Sequence, residues 1–260
     1  MLTDCCVRVA YRRCAGVSTQ PVLSRRERTR AATLGEIKAT ALRLMRELGS
    51  ADVRFSDIAR EMGMTAPALY RYYGDRDALV TALISDAYDD LAGAFAVARD
   101  EVAPGRPVAR LQAVASAFRS WARGEPQRFA LIFGAPVPGY VSDSNQATEA
   151  CLRATGALKA VFYDAAAAGV LGRPVVDVVD YRLARAFSDE HDPVYAGRPG
   201  LAPETTQALM QCWTSLYGFI SLETYGHLDY LDEPARDSLF AAHVDMLARM
   251  TGLDTPLEKP

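Results

Sequence analysis

The chain has 260 residues, half of them hydrophobic and 23% charged, with a formal net charge of -3. That length suits one large unit or a small unit joined to a larger one. No stretch stays apolar for the roughly 20 residues that a bilayer span needs, and residues 1–20 are broken by Asp4, Arg8, Arg12 and Arg13, which argues against a secretory signal; the expectation is a cytoplasmic protein.

The charge is unevenly divided. Residues 25–80 hold 11 Lys and Arg against 8 Asp and Glu, a net of +3, whereas residues 81–260 hold 15 against 23, a net of -8. A small basic module that meets polyanions, joined to an acidic body that does not, would have this pattern. Residues 1–24 are expected to be a disordered extension, 25–80 the basic module, 81–254 the acidic body and 255–260 a short tail.

From Leu34, the apolar residues Leu34, Ile37, Ala41, Leu44, Met45 and Leu48 recur at steps of three and four, the stripe of an amphipathic helix that ends at Gly49. A short second helix carries Phe55, Ile58, Ala59 and Met62 and closes at Gly63. A third begins after Thr65, whose hydroxyl can cap it, with Pro67 tolerated in the first turn, and stops at Gly74. Asp75 then caps a longer helix bearing Leu79, Leu83, Leu91 and Phe95. Further helices are expected near 108–123, 125–133, 148–168, 177–189, 204–226 and 234–251, separated by Gly- and Pro-rich breaks. No convincing β alternation occurs, so the fold class is all-α, with a three-helix module followed by a larger helical domain.

Two short helices broken at Gly63 and Met64 have the length and turn of a helix-turn-helix whose second helix enters the DNA major groove. At 100° per residue, Leu69 and Tyr73 face the core with Ala66 nearby, and Pro67 and Arg71 face away, flanked by Ala68 and Tyr70. Small Pro67 and Ala68 allow close approach, while Arg71 offers the forked donor that pairs with guanine O6 and N7. Tyr70 and Tyr72 suit phosphate contacts, Arg76 sits where a helix N-terminus and a cation would grip a phosphate, and Arg54 and Ser56 reach the same backbone. The candidate DNA contacts are therefore Arg54, Ser56, Thr65, Ala66, Pro67, Tyr70, Arg71, Tyr72 and Arg76. Three neighbouring tyrosines could equally fill a small core, but Tyr70 and Arg71 cannot both be buried alongside Leu69.

The run from Phe55 to Leu79, FSDIAREMGMTAPALYRYYGDRDAL, resembles the N-terminal signature of the TetR family of bacterial regulators. The resemblance extends over about residues 35–84 and includes the ELGS ending of the first helix, the Ile58-Ala59 pair, the turn at Gly63-Met64-Thr65 and the Leu69-Tyr70 pair. The family usually has Ser or Thr where this chain has Arg54, and Lys where it has Arg76; Ser56 or Asp57 would have to replace the missing cap. Farther on, CWTSLYGFISLE, with Trp213, Tyr217 and Gly218, looks like the sensor subclass named for a Trp-His-Gly motif, with Tyr in place of His, and the stretch PQRFALIFGAPVPGY looks similar to it too.

This resemblance implies a repressor that is released from a palindromic operator by a small, largely apolar effector, and a homodimer formed through the last two helices. The expected pairing face is Leu239, His243, Met246, Leu247 and Met250; the expected effector pocket is Trp121, Phe129, Phe133, Trp213 and Tyr217. Each of these aromatics could instead be ordinary core.

A competing class is a helical small-molecule-binding protein or metal-dependent enzyme without an operator. No G-x-S-x-G elbow, H-E-x-x-H, Gly-rich phosphate loop or C-x-x-C pair occurs among the five cysteines, Cys5, Cys6, Cys14, Cys151 and Cys212. Glu223 with His227, or Glu190-His191-Asp192, could contribute metal ligands, but few further ligands lie at suitable spacing. No enzyme activity, metal or cofactor is expected. A sequence-neutral DNA-packing protein would need a more basic body than a net of -8.

Overall fold

A computed structural model describes residues 24–50, 52–140, 145–186 and 200–254. The expected extension and tail, 1–23 and 255–260, lie outside the described residues, as does Glu190-His191-Asp192. Every described element is a helix: α1 Arg25–Leu48, α2 Phe55–Glu61, α3 Ala66–Leu69, α4 Arg76–Asp100, α5 Pro107–Gly124, α6 Pro126–Phe133, α7 Asn145–Ala167, α8 Tyr181–Ala186, α9 Pro203–Thr224 and α10 Glu233–Met250. None is long and apolar enough to cross a membrane.

α1 starts at Arg25, well before the apolar stripe does. Ser24 Oγ accepts from Glu27 N at 3.2 Å and Glu27 accepts from Ser24 N at 2.7 Å, a reciprocal cap that satisfies two orphan donors. Those first turns are exposed, so no burial pattern marks them in the sequence. The helix ends at Gly49, φ 61°, and α2 is closed by Gly63, φ 63°, a left-handed backbone where any Cβ is strained.

The cap expected of Thr65 is not made, and α2, which starts after Arg54, has no side-chain cap at its N-cap position either. The Thr65 backbone carbonyl instead accepts from Ala68 N and Leu69 N, and Asp57 pairs with Arg60 at 2.8 Å. Asp75 does cap α4, with Oδ1 accepting from Ala78 N at 2.7 Å.

The apolar side chains form two principal cores. One gathers Ile37, Met45, Phe55, Ile58, Leu69 and Tyr73 with Leu79 and Leu83 of α4. The other gathers Leu91 and Phe95, from farther along α4, with the inner faces of α5, α6, α7, α9 and α10. α4 packs most extensively on α7 and α5. The expected boundary between residues 80 and 81 thus falls inside one continuous helix. The helix expected over 177–189 is described only at Tyr181–Ala186; the valine-rich residues before it form no helix, and 187–199 lie outside the described residues.

Buried charge ties the second core together. Arg119 of α5 makes two bonds to Glu223 of α9, at 2.7 and 2.6 Å, and one contact to Asp237 of α10 at 2.8 Å, with its guanidinium 4.7 Å from the centre of the Phe240 ring. Arg123 adds a bond to Glu223 at 2.9 Å. Arg110 pairs with Asp164 of α7 and also donates to the Val102 carbonyl at 2.8 Å. Glu223, weighed above as a metal ligand with His227, is therefore a structural anion; His227 is exposed beyond the helix end. The described residues contain no cluster of three or more groups able to hold a metal.

Burial alone would raise the Glu223 pKa, but hydrogen bonds from Arg119 and Arg123, with their charges, outweigh it and hold the carboxyl below its ordinary range. Its stabilisation is therefore complete above the ordinary glutamate pKa of about 4.3 and is lost as the pH falls through the lower folded value. Glu223→Gln should cost about 3 kcal/mol at neutral pH, the low end for a broken buried pair because Asp237 still faces Arg119. In thermal unfolding followed across pH, the gap between wild type and variant should close below about pH 4.

Candidate nucleic-acid interface

α3 is a four-residue helix that tightens after Leu69: Arg71 N bonds the Ala68 carbonyl and Tyr72 N the Leu69 carbonyl, both three residues back. Sequence periodicity extends an ideal helix to Tyr73. A segment this short instead satisfies its terminal carbonyls through a tighter last turn. The sorting of faces is unchanged: Leu69 is 0% exposed and Tyr73 9%, whereas Tyr70 is 53% exposed and Pro67 and Arg71 also face solvent. Ala66, Ala68 and Tyr72 are half-buried.

Tyr70 packs its ring on Phe55 of α2, with centroids 5.0 Å apart. This contact brings the start of α2, with exposed Arg54 and Ser56 on either side of Phe55, alongside the end of α3; Thr65 is exposed at the beginning of α3. No described residue pairs with the Arg71 guanidinium. Arg30 of α1, which the sequence reading did not single out, holds this segment in place. Its Nη2 donates to the Arg71 carbonyl at 3.3 Å, and its guanidinium lies 5.2 Å from the centre of the Tyr72 ring. The S-x-x-E pattern at Ser24 to Glu27 was the available signal that α1 reaches back far enough to place Arg30 there.

Arg76, expected at a phosphate, has its guanidinium directed into the protein. Nε donates to the Val53 carbonyl at 3.3 Å, Nη1 to the Pro138 carbonyl at 3.2 Å, and Nη2 to Asp52 at 2.9 Å. Pro138 belongs to a strap, residues 134–140, that leaves α6 and lies against the first core. Val137 is buried in that core, and the hydroxyl of Tyr140 bonds that of Thr81 at 2.9 Å.

Four of the five expected effector-pocket residues come together. Phe133 lies 5.1 Å from Phe129, 5.8 Å from Trp213 and 5.3 Å from Tyr217, centroid to centroid, and Trp213 stacks on Phe118 at 5.4 Å with 7° between planes. The Tyr217 hydroxyl donates to the Phe133 carbonyl at 2.9 Å. Trp121 does not join these ring contacts; its indole N–H donates to Asp90 of α4 at 2.9 Å, an acceptor shared with Arg128. Burial raises the Tyr88 hydroxyl's pKa, with Cys151 and Tyr217 adding to the effect, and pushes the Cys212 thiol up to about 12, so Cys212 is an apolar core residue and not a nucleophile.

Comparison with known proteins bears on both halves. The family model described as "Bacterial regulatory proteins, tetR family" matches residues 37–83, and that described as "Tetracyclin repressor-like, C-terminal domain" matches residues 111–247. HTH-type transcriptional regulator Rv1816 of Mycobacterium tuberculosis is 36% identical over 191 residues, 72% of this chain and 79% of that protein. Among solved structures, the regulatory protein SCO4313 aligns with a TM-score of 0.67 at 34% identity, covering 86% of this chain and 98% of its own. The TetR family transcriptional regulator PfmR of Thermus thermophilus shares the fold, with a TM-score of 0.52 at 18% identity over 84% of this chain and 99% of its own.

Arg76→Ala would leave the Val53 carbonyl, in a buried residue, without its guanidinium donor and free the strap at Pro138. The expected loss in urea unfolding is about 1–2 kcal/mol; a loss within error would mean that these bonds hold neither the 52–53 segment nor the strap in place.

Proposed function

The chain belongs to the TetR family of bacterial transcriptional regulators, DNA-binding proteins that act without catalysing a reaction, and on that premise we propose that the outward face of α2 and α3, centred on Arg71, reads a palindromic operator. One observation carries this reading: Leu69 and Tyr73 point into the core while the Arg71 guanidinium has no partner among the described residues. Pro67 and Ala68 let the backbone approach base edges, with Ala66 at the margin of that face, Arg71 offers a bidentate donor to guanine, and Tyr70 and Tyr72, with Arg54, Ser56 and Thr65, contact the sugar-phosphate backbone. Arg76 contributes chiefly by position, because a phosphate contact would require it to exchange its bonds to Val53, Pro138 and Asp52.

Residues 25–80 form the reader and 81–254 the sensor, with α4 shared between them. Two chains pair through α9 and α10. Leu239 and Met246 are each 43% exposed on α10, and His243 and Met250 are half-exposed beside them, which supports this face. Leu247, expected there too, is 2% exposed and belongs to its own chain's core, so it is not available to a partner. A twofold pair would set the readers one DNA turn apart, about 34–36 Å.

The sensor belongs to the Trp-His-Gly subclass, with Tyr217 at the histidine position. Its ring contact with Phe133, alongside that of Trp213, supports a shared role in holding α6. Phe129, Phe133, Trp213 and Tyr217 form the apolar wall against which a small effector acts, and Trp121 serves the α4 to α5 contact. The protein is a repressor, working in the cytoplasm where bacterial operators are. An effector that binds better to a dimer with altered reader spacing lowers operator affinity by the ratio of its affinities for the two states.

Arg71→Ala should weaken binding to the selected operator by roughly 1–3 kcal/mol and broaden base preference at one position of each half-site. Selection of random duplexes by the purified protein, followed by gel-shift titration of the winners, measures both; unaltered preference would overturn the reading face. Met246→Asp should yield monomers in sedimentation and abolish cooperative occupancy of the two half-sites, and a dimer that survives the substitution would place pairing elsewhere.

A further inference from the structure

A cleft of about 460 Å³ lies where the reader meets the sensor. Its walls come from three separate parts of the chain: Met45 and Ser50 at the end of α1; Gln127, Ala130 and Phe133 on α6 with the strap from Gly134 to Pro138 that continues it; and Tyr225 after α9. No charged side chain lines it, in a protein whose residues are 23% charged. Each wall is held by its own bonds, through the Gly49 cap to Arg46, Tyr217 to the Phe133 carbonyl and Arg76 to the Pro138 carbonyl. The Tyr225 ring packs on Phe129 at 6.0 Å, and its hydroxyl comes so near Gly134 that a Cβ there would stand 3.0 Å from it.

We infer that this cleft is a binding site for a neutral, compact, largely aromatic small molecule bearing one or two hydrogen-bonding groups. The volume lies within the roughly 300–1,000 Å³ of small-molecule sites. The rings of Phe133, Tyr225, Pro136 and Pro138 offer flat apolar surface, and the Gln127 amide and the Ser50 and Tyr225 hydroxyls offer polar partners. A charged ligand would find no counter-charge among the lining residues.

The placement gives the site leverage. On α6, Leu131 is buried in the first core and Phe133 packs against the second, while the strap that follows puts Val137 back into the first. A molecule seated between α1 and α6 therefore acts on the joint between the two units without crossing either core. This regulatory consequence rests on the operator-binding reading; occupancy of the cleft does not.

The test uses the full chain with 2-naphthol and indole as neutral probes and naphthalene-2-sulfonate as an anionic one, followed by saturation-transfer NMR. Ala130→Trp and Ser50→Trp fill the cleft from opposite walls, so if one variant fails to fold the other decides. The neutral probes should bind wild type and lose roughly tenfold or more in affinity, about 1.4 kcal/mol, in each folded variant. Thermal midpoint and probe-free operator affinity should remain those of wild type. The site is overturned if neither neutral probe binds, if both variants bind them undiminished, or if the sulfonate binds as well as 2-naphthol. Operator affinity unchanged at probe saturation would overturn the regulatory consequence and leave the site standing; no operator binding at all would overturn the regulator reading alone.

Discussion

One continuous helix belongs to two cores. The N-terminal part of α4 contributes Leu79, Val80 and Leu83 to the reader, and its later turns contribute Leu91 and Phe95 to the sensor, with no break between. A helix this long is stiff between its packed ends, so rotation or translation of its sensor half is passed on to the reader. α6 and its strap make a second connection, through Leu131, Val137, Tyr140 and the carbonyl of Pro138. With two connections rather than one, the units cannot swivel freely about α4, and an input to either connection changes how the reader is held.

The outward face of α3 follows from this support. Arg71 is left to solvent because its neighbours are anchored: Leu69 and Tyr73 in the core, Tyr70 on Phe55, and Tyr72 beneath Arg30. α3 is too short to be stable by propensity alone, so its orientation comes almost entirely from those contacts. A guanidinium on a well-held backbone loses less freedom on meeting a base edge than one on a loop.

The sensor combines two kinds of interior. The aromatic cluster of Phe118, Phe129, Phe133, Trp213 and Tyr217 closes space by ring contacts, and bulky rings repack in few ways. The clamp of Arg119, Arg123, Glu223 and Asp237 joins α5, α9 and α10 through charge, which adds directional constraint more than net stability. Both grip α9, which also packs on α10. A rearrangement of the cluster therefore has a mechanical path to α10 as well as to α6.

The helices, the turn at Gly63 and the inward and outward sides of the third segment were legible in the amino-acid order because each depends on residues within four of one another, and helical periodicity records burial directly. The start of α1 was legible in principle from Ser24 and Glu27, since a capping box is local too. Partners distant along the chain were not: Arg76 meets Pro138, Trp121 meets Asp90, Glu223 meets Arg119, and Leu247 turns into its own core. A side chain's type limits the bonds it can make, and its local sequence limits the side of the helix it occupies. Which of several chemically suitable partners stands opposite is decided only when the helices pack, because that choice depends on distances between segments that no local pattern encodes.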